Sequence, residues 1–240
     1  MSAAGRPPAV QALAFDTYGT VVDWRRSLLA ALERFGERRR VAVDWAAFLA
    51  EWKAAYRPGL DRVNRGDAPW MTVDEIYARA LEALLPRYGL PPDPADVAEL
   101  TGAWRRLAPW PDVRAGLERL RRRYVITPLS NASFAGMVHL ARFARLPWDC
   151  VITAENARCY KPRPEVYQTA AALLGLRPAD VLMVAAHNYD LHAARAVGLR
   201  TAFVPRPEEH GPGQTTDRAP EAAWDVIATD FGDLADRLGA

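Results

Sequence analysis

Residues 14–20 read Ala-Phe-Asp-Thr-Tyr-Gly-Thr and place one aspartate, Asp16, directly after an apolar segment. The apolar run over residues 10–15 and the turn signal at Gly19 are typical of a buried parallel strand. Parallel α/β sheets bind ligands at the carboxyl ends of their strands, so Asp16 is a candidate functional residue. The alternative is that Asp16 only caps the turn or helix that follows it.

The rest of the chain predicts an α/β protein with a helical insertion. After Thr20 the pattern is helical, with helices predicted over residues 24–40, 44–56, 72–88 and 94–107. Beyond Pro111 strands are predicted over residues 124–129, near Val151, and over 181–186, 201–204 and 224–227. The helices between and before them are predicted over residues 112–123, 133–143, 164–174 and 189–197. This alternation predicts βαβ units in a parallel sheet.

We therefore expect a doubly wound parallel sheet, a Rossmann-like core, that carries a helical cap inserted after its first strand. The core is predicted over residues 1–20 and 109–240 and the cap over 21–108, with hinges near Thr20 and near Pro109 to Pro111. The segment 205–220 is rich in Pro, Gly and Thr, and it is predicted to be a loop that covers a sheet edge or serves an interface.

Composition excludes several classes of function. The formal net charge is +2 and most basic residues are scattered, which argues against a nucleic-acid partner. The two cysteines, Cys150 and Cys159, lack metal-ligand spacing and predict a reducing compartment. The sequence contains neither an apolar run that predicts a membrane span nor a signal peptide, so we expect a cytoplasmic protein without a membrane partner.

Four polar points follow predicted strands: Asp16, the pair Ser130-Asn131, Lys161, and the group His187-Asn188-Tyr189-Asp190. Taken singly, each has an ordinary explanation as a helix cap, an exposed lysine, a first-turn acid or a surface histidine. In a doubly wound sheet, however, the strand ends converge on one crevice. Convergence favours a common site.

In this order the residues resemble the haloacid dehalogenase superfamily, and within it the type II (S)-2-haloacid dehalogenase branch. The resemblance rests on these motifs: Phe15-Asp16-Thr17-Tyr18-Gly19-Thr20, Leu129-Ser130-Asn131, Tyr160-Lys161-Pro162 with Val166-Tyr167, and Asn188-Tyr189-Asp190. Phosphatases of the superfamily carry a second aspartate where this chain has Tyr18, and a metal-binding aspartate where it has Ala186. The resemblance therefore implies no metal and no other cofactor, because a halide, unlike an alkoxide, leaves without a proton.

The resemblance implies hydrolysis of short 2-haloalkanoic acids to 2-hydroxy acids, including haloacetates and fluoroacetate, with Asp16 as the nucleophile that forms an ester. The other residues to which it gives catalytic roles are Thr20, Lys161, Tyr167, His187, Asn188 and Asp190. Lys161 would keep Asp16 ionised, and Asp190 would activate water through His187. The residues expected to bind substrate are Thr17, Tyr18, Trp52, Lys53, Arg57, Ser130, Asn131 and Tyr189.

The chain departs from the family pattern in the cap and in the last motif. Many members have an arginine after the cap tryptophan, whereas Trp52 is followed by Lys53; Arg57, one turn further along the predicted helix, is the alternative halide donor. His187 replaces an asparagine of familiar members, which raises the hypothesis that it assists release of fluoride. Trp52 and Trp70 are expected either to form the pocket wall or to pack within the cap.

Two other functions stay open at this stage. One is a magnesium-dependent small-molecule phosphatase of the same superfamily, and the other is a non-catalytic protein that binds a small anion. Family resemblance also implies a homodimer and a 2-haloacid, of (S) configuration where the carbon is chiral, as the small-molecule substrate.

Overall fold

The structure is a computed structural model, and it describes residues 9–240. In chain order its strands are β1 Ala12–Phe15, β2 Val22–Asp23, β3 Ala108–Pro109, β4 Val125–Ser130, β5 Ile152–Thr153, β6 Val181–Ala185, β7 Arg200–Phe203 and β8 Val226–Ile227. Within the described range, six of them form one sheet in the order β5-β4-β1-β6-β7-β8, in which every neighbouring pair is parallel. The sheet confirms the predicted fold class.

The helices lie in two groups. Those between β2 and β3 are α1 Trp24–Arg39, α2 Trp45–Ala54, α3 Tyr56–Arg65, α4 Val73–Leu84 and α5 Pro94–Ala103. Those after β3 are α6 Val113–Leu120, α7 Phe134–Ala144, α8 Ala154–Ala157, α9 Pro164–Leu173, α10 Asn188–Val197 and α11 Phe231–Leu238. None of these helices is long and apolar enough to cross a bilayer.

The central strand β1 fixes the position of the site. All four of its residues are buried, as expected for a strand covered on both faces of a parallel sheet. It pairs with β4 on one side and β6 on the other, so the chain order reverses at its carboxyl end. That reversal opens a crevice, and Asp16 is the first residue in it. The Asp16 N–H donates to the Val184 carbonyl at 2.9 Å, which anchors the aspartate to β6.

The helical insertion joins the core through two short strands. β2 and β3 pair antiparallel, so the chain leaves and re-enters the core side by side. This arrangement is compatible with the predicted division at residues 20 and 109, which stays a prediction. The first eight residues of the predicted core lie outside the described residues.

The predicted helix over residues 44–56 is wrong in its extent. Helix α2 ends at Ala54, and a separate helix, α3, begins at Tyr56. The Pro58-Gly59 pair is a sequence signal for the end of a helix. It nevertheless lies inside α3, because proline is tolerated in the first turn of a helix, where its missing N–H would have no intrahelical partner. Arg57 is therefore in a different helix from Lys53 and not one turn along the same helix.

Polar contacts fasten the insertion to the core. The side chain of Asn64 bonds both to the Tyr160 N–H, at 2.8 Å, and to the Tyr160 carbonyl, at 3.0 Å. The Ser133 hydroxyl donates to Asp74 at 3.0 Å. These contacts hold the helical insertion over the carboxyl ends of β1 and β4, and so roof the crevice.

Candidate active site

Asp16 is buried among three hydrogen-bond donors. The Thr20 hydroxyl donates to Asp16 Oδ2 at 2.7 Å, and His187 Nδ1 lies 3.1 Å from the same oxygen. Lys161 Nζ donates to Oδ1 at 3.2 Å. Burial alone would raise the pKa of Asp16, but Lys161, His187 and Thr20 hold the pKa well below its usual range. The carboxylate is therefore ionised and oriented, as a nucleophile must be.

The turn after β1 places Thr20. Gly19 adopts a positive φ of 93°, a conformation that glycine tolerates, and the Thr17 carbonyl accepts the N–H groups of Val21 and Val22. This turn brings the Thr20 hydroxyl back toward Asp16. The same hydroxyl accepts the Ala186 N–H at 2.9 Å, so it ties Asp16 to the end of β6.

Lys161 lies between two carboxylates. Its ammonium group donates to Asp16 and, at 2.7 Å, to Asp190 Oδ2, and its side chain is only 1% exposed. Burial lowers the pKa of Lys161, but Asp190 and Asp16 outweigh it and raise the pKa above its ordinary value. The backbone N–H of Lys161 donates to Asn131 Oδ1 at 2.9 Å, which fixes where the lysine enters the site.

Asp190 lies behind Lys161 and away from the cavity. Its two oxygens accept from Lys161 and from the Tyr167 hydroxyl, and its side chain is fully buried. Burial and the nearby Asp16 charge raise the pKa of Asp190 despite Lys161. His187 contacts Asp16 and Glu209 instead of Asp190. The predicted route from Asp190 through His187 to water is therefore wrong, and the geometry makes Asp190 and Tyr167 supports for Lys161.

A cavity of about 230 Å³ opens in front of Asp16. The predicted residues that line it with Asp16 are Tyr18, Lys53, Arg57, Ser130, Asn131, His187 and Tyr189. The remaining lining residues are Tyr56, an aromatic residue of the helical insertion, and Glu209, His210 and Asp217, which the sequence did not single out. Most of the lining residues that come from the sheet and the helical insertion were therefore predicted from the sequence.

Several donors belong to residues at or directly beside this cavity. The Ser130 oxygen accepts the Ala132 N–H at 3.2 Å, which leaves its own hydroxyl hydrogen available. Within residues 9–240 the backbone N–H groups of Thr17 and Tyr18 have no acceptor. The Thr17 side chain is buried and does not line the cavity, so only its backbone can serve a ligand. Backbone and hydroxyl donors at the end of a strand suit a carboxylate.

Lys53 reaches the cavity from the cap. Its Nζ lies 4.0 Å from the centre of the Tyr56 ring and 5.0 Å from that of the Trp24 ring. Burial lowers the pKa of Lys53 to about 8, although Glu209 and Asp16 act in the opposite direction. Arg57 lies nearer the surface, where it bonds to Asp61 at 3.0 Å and lies over the Tyr189 ring. Both cations can face an anion in the cavity.

Trp52 and Trp70 do not line the cavity. Trp52 is 1% exposed, packs against Tyr77 and Trp104, and donates to the Tyr77 carbonyl at 3.1 Å. Trp70 stacks on Tyr160 with ring centres 4.9 Å apart. The expectation that Trp52 binds substrate is therefore corrected. It packs within the cap because an indole gains more free energy from burial than from a partly wet wall.

The catalytic role expected for Asn188 is also corrected. Its amide group donates to Asp217 at 2.9 Å and to the Ala219 carbonyl at 3.0 Å. Its carbonyl oxygen accepts from the Glu221 N–H and from Trp224 Nε1. With both ends of the amide occupied, Asn188 clamps residues 217–224 and does not face the cavity.

Residues 205–224, called here the covering segment, supply the part of the site that the sequence did not reveal. They form turns and coil. Arg206 holds the segment in place through a two-pronged contact with Asp112, at 2.8 and 2.9 Å, and a bond to the Thr20 carbonyl. Glu209 then reaches His187, with Oε2 2.9 Å from Nε2. A charged residue in a polar loop carries no periodic signal, so spacing did not single out Glu209.

The donor set does not fit a magnesium ion. Mg²⁺ requires oxygen ligands in octahedral array. Both oxygens of Asp16 already accept from hydroxyl or nitrogen donors, and neither Tyr18 nor Ala186 offers a further carboxylate. Among residues 9–240 there is no cluster of three or more His, Cys, Asp or Glu side chains arranged around a metal position.

Comparison with known proteins places the chain in a family. A family model described as a haloacid dehalogenase-like hydrolase matches residues 10–198. The (S)-2-haloacid dehalogenase of Xanthobacter autotrophicus is 31% identical over 205 residues, which cover 82% of this chain and 76% of that protein.

Two crystal structures resemble the chain over almost its whole length. The L-2-haloacid dehalogenase PA0810 has 44% sequence identity and a TM-score of 0.94, and the match covers 96% of this chain and 99% of that one. The defluorinating L-2-haloacid dehalogenase Rha0230 has 42% identity and a TM-score of 0.95, with 98% and 99% covered. The similarity therefore includes the helical insertion as well as the sheet.

Replacing Lys161 with Met should destabilise the fold. The variant leaves Asp16 and Asp190 buried without the cation that they share, and an uncompensated buried charge typically costs about 3–5 kcal/mol. We expect the free energy of unfolding, measured by urea denaturation at pH 7, to fall by about that amount. The double variant Lys161→Met with Asp190→Asn should recover part of the loss. An unchanged free energy in Lys161→Met would contradict this account of the buried charges.

Proposed function

The chain belongs to the haloacid dehalogenase-like hydrolases, and on that premise we propose that it is a 2-haloacid dehalogenase, a hydrolase that acts on carbon–halide bonds. It converts short 2-haloalkanoic acids to 2-hydroxy acids through an ester on Asp16. The observation that carries this proposal is the ionised Asp16 carboxylate, which Lys161 and Thr20 hold at the wall of a small cavity. The cationic side chains of Lys53 and Arg57 line the same cavity. The similarity to dehalogenases over nearly the whole chain supports it.

The first step is displacement of the halide. Asp16 attacks the carbon that carries the halogen, a carbon–oxygen bond forms, and the carbon–halogen bond breaks with its electron pair leaving on the halide. Because Thr20 and Lys161 hold the carboxylate in one orientation, little freedom is lost when the substrate arrives. Tyr18 in place of a second acid is no handicap, since the departing halide needs donors and not a proton.

The substrate carboxylate binds where the neutral donors converge. The Ser130 hydroxyl and the backbone N–H groups of Thr17 and Tyr18 face it, and they fix which substituent of the carbon points at Asp16. The halide leaves on the side opposite Asp16, toward Lys53, with Arg57 nearer the surface. Asn131 is held by its bonds to Tyr56 and to the Lys161 backbone and completes the wall.

The second step is hydrolysis of the ester. Water attacks the carboxyl carbon of Asp16, and His187 takes a proton from this water. His187 can do so because its Nδ1 lies 3.1 Å from the Asp16 carboxylate. The ester bond breaks, the product oxygen receives a proton, and the Asp16 carboxylate is restored. His187 thus lies next to the nucleophile and not next to the departing halide. We therefore assign the stabilisation of departing fluoride to Lys53 instead of His187.

Several expectations from the sequence stay predictions within this proposal. They are the homodimer, the cytoplasmic location, the lack of a nucleic-acid partner and the preference for an (S) substrate. Tyr18 and Ala186 count against the magnesium-dependent phosphatase. The intact pair of Asp16 and Lys161 counts against a binding protein without catalysis.

Halide release tests the proposed activity. Native protein and Asp16→Asn are incubated with chloroacetate and with each enantiomer of 2-chloropropionate in the presence of EDTA, and chloride is measured. We expect release by the native protein that EDTA does not affect, and a loss of at least about 1,000-fold in Asp16→Asn, because an amide cannot form the ester.

The other outcomes of this assay separate the alternatives. Hydrolysis of a phosphate ester that requires magnesium, without chloride release, would establish the phosphatase instead. Binding of chloroacetate by both variants without turnover would favour the binding protein.

Lys53 should determine how well poor leaving groups are expelled. Fluoride needs stronger donors than chloride, so Lys53→Met should slow halide release in a single turnover by about 100-fold for fluoroacetate and by about 10-fold for chloroacetate. The pKa of Lys53 is about 8, so release of fluoride by the native protein should decline as pH rises through that value and the ammonium loses its proton. Arg62→Gln serves as the matched control, because Arg62 is an exposed cation of the same helical insertion that does not line the cavity. Equal losses for the two halides would overturn the assignment.

A further inference from the structure

His187 lies between two carboxylates. Its Nδ1 is 3.1 Å from Asp16 Oδ2 and its Nε2 is 2.9 Å from Glu209 Oε2. The side chain of Glu209 is 4% exposed and that of His187 is 12% exposed, so water screens the contact little. One carboxylate belongs to the nucleophile, and the other comes from the covering segment, where it takes no part in the displacement step.

Glu209 is itself held in one orientation. Its Oε1 accepts from Trp24 Nε1 at 2.9 Å, which leaves Oε2 directed at His187. Arg206 anchors the same turn to Asp112 and to the Thr20 carbonyl. A carboxylate with both oxygens assigned and an anchored backbone can fix the ring that it contacts.

Space for Glu209 exists because residue 19 has no side chain. A Cβ at Gly19 would lie 2.2 Å from Glu209 Oε1 and 2.6 Å from Oε2. The turn that presents Asp16 and Thr20 and the segment that carries Glu209 are therefore complementary in shape. This close fit brings the Glu209 carboxylate to His187 beside the nucleophile.

We propose that Glu209 is a positioning residue that holds the His187 ring with a hydrogen on Nε2, so that Nδ1 can take the proton of the water that hydrolyses the Asp16 ester. This inference rests on the proposed function and deepens it. A histidine that donates to a carboxylate from one nitrogen presents the other as a base, and the carboxylate stabilises the imidazolium that forms.

The proton balance of the cycle follows from this arrangement. When Asp16 is alkylated its charge disappears, and the proton on Nδ1 passes to solvent as the halide leaves. In hydrolysis, oxygen of water bonds to the Asp16 carboxyl carbon and one of its protons moves to Nδ1. The ester bond then breaks, the product oxygen takes that proton, and the new Asp16 carboxylic acid gives its own proton to Nδ1. One water is consumed and one proton and one halide are released.

The Glu209→Gln variant distinguishes a role of Glu209 in orienting the His187 ring from a role in packing alone. The glutamine oxygen can still accept from Trp24, but its amide group then faces Nε2 with a donor, so the ring must carry its hydrogen on Nδ1. The neighbouring Glu208 is 72% exposed and its carboxylate lies 3.5 Å from Arg26, away from His187, so Glu208→Gln is the matched control.

The experiment combines rapid quench of the first turnover with intact-protein mass spectrometry, using chloroacetate. In Glu209→Gln we expect the first equivalent of chloride to appear at a rate within about 3-fold of the native rate. Steady turnover should fall by about 100-fold or more, and the protein should accumulate with the added mass of one carboxymethyl group, lost on mutation of Asp16. Glu208→Gln should behave as the native protein in both measurements.

Two results would overturn the inference. The first is that Glu209→Gln slows the first turnover as much as steady turnover and accumulates no ester. The second is that Glu209→Gln has the same rates as Glu208→Gln. If Glu209→Gln fails to fold by circular dichroism, Glu209→Asp is measured in its place and must accumulate the ester. Failure of the proposed function looks different, because the native protein would then release no chloride at all.

Discussion

The site depends on one electrostatic constraint, which is that the ammonium group of Lys161 is buried between the carboxylates of Asp16 and Asp190. A buried charge is tolerated only when it is paired and hydrogen-bonded, so these groups must meet with good geometry or the fold loses stability. They come from the end of β1, the loop after α8 and the start of α10, which the sheet order brings to one crevice. The pairing that satisfies this constraint also leaves Asp16 ionised in front of the cavity.

The chemistry follows from what faces the other side of Asp16. An alkoxide leaving group would require an acid close to the nucleophile, and neither Tyr18 nor Ala186 supplies a carboxylic acid beside Asp16. A halide requires only donors that stabilise its charge, and Lys53 lies on the cap side of the cavity among aromatic rings. The helical insertion and the covering segment both contribute walls to this space, and the burial of these walls strengthens the contacts that its donors make.

Much of the fold and most of the residues that line the cavity could be predicted from the sequence, for physical reasons that differ between residues. The sheet and its helical insertion were predictable because hydrophobic periodicity is local, and Asp16 and Ser130 because they lie at the carboxyl ends of strands. Lys161 follows the short helix α8, and it was predicted from its motif Tyr160-Lys161-Pro162. Glu209 was not predictable, since its contacts with Trp24 and His187 join distant segments and its loop has no periodic pattern. The catalytic role predicted for Asn188 was wrong, because the position of a residue in a motif does not determine where its side chain points. In the structure the Asn188 amide group holds the covering segment.

The central claim is that an oxygen of Asp16 becomes the hydroxyl oxygen of the product, and isotope labelling tests it most directly. Enzyme in excess over chloroacetate is allowed one turnover in water enriched in oxygen-18, and the product and the peptide that contains Asp16 are analysed by mass spectrometry. The account predicts unlabelled hydroxyl oxygen in the product and one oxygen-18 in the Asp16 carboxylate, because water attacks the carboxyl carbon of the ester. Oxygen-18 in the product hydroxyl with an unlabelled Asp16 would show that water attacks the substrate directly, and would contradict the account.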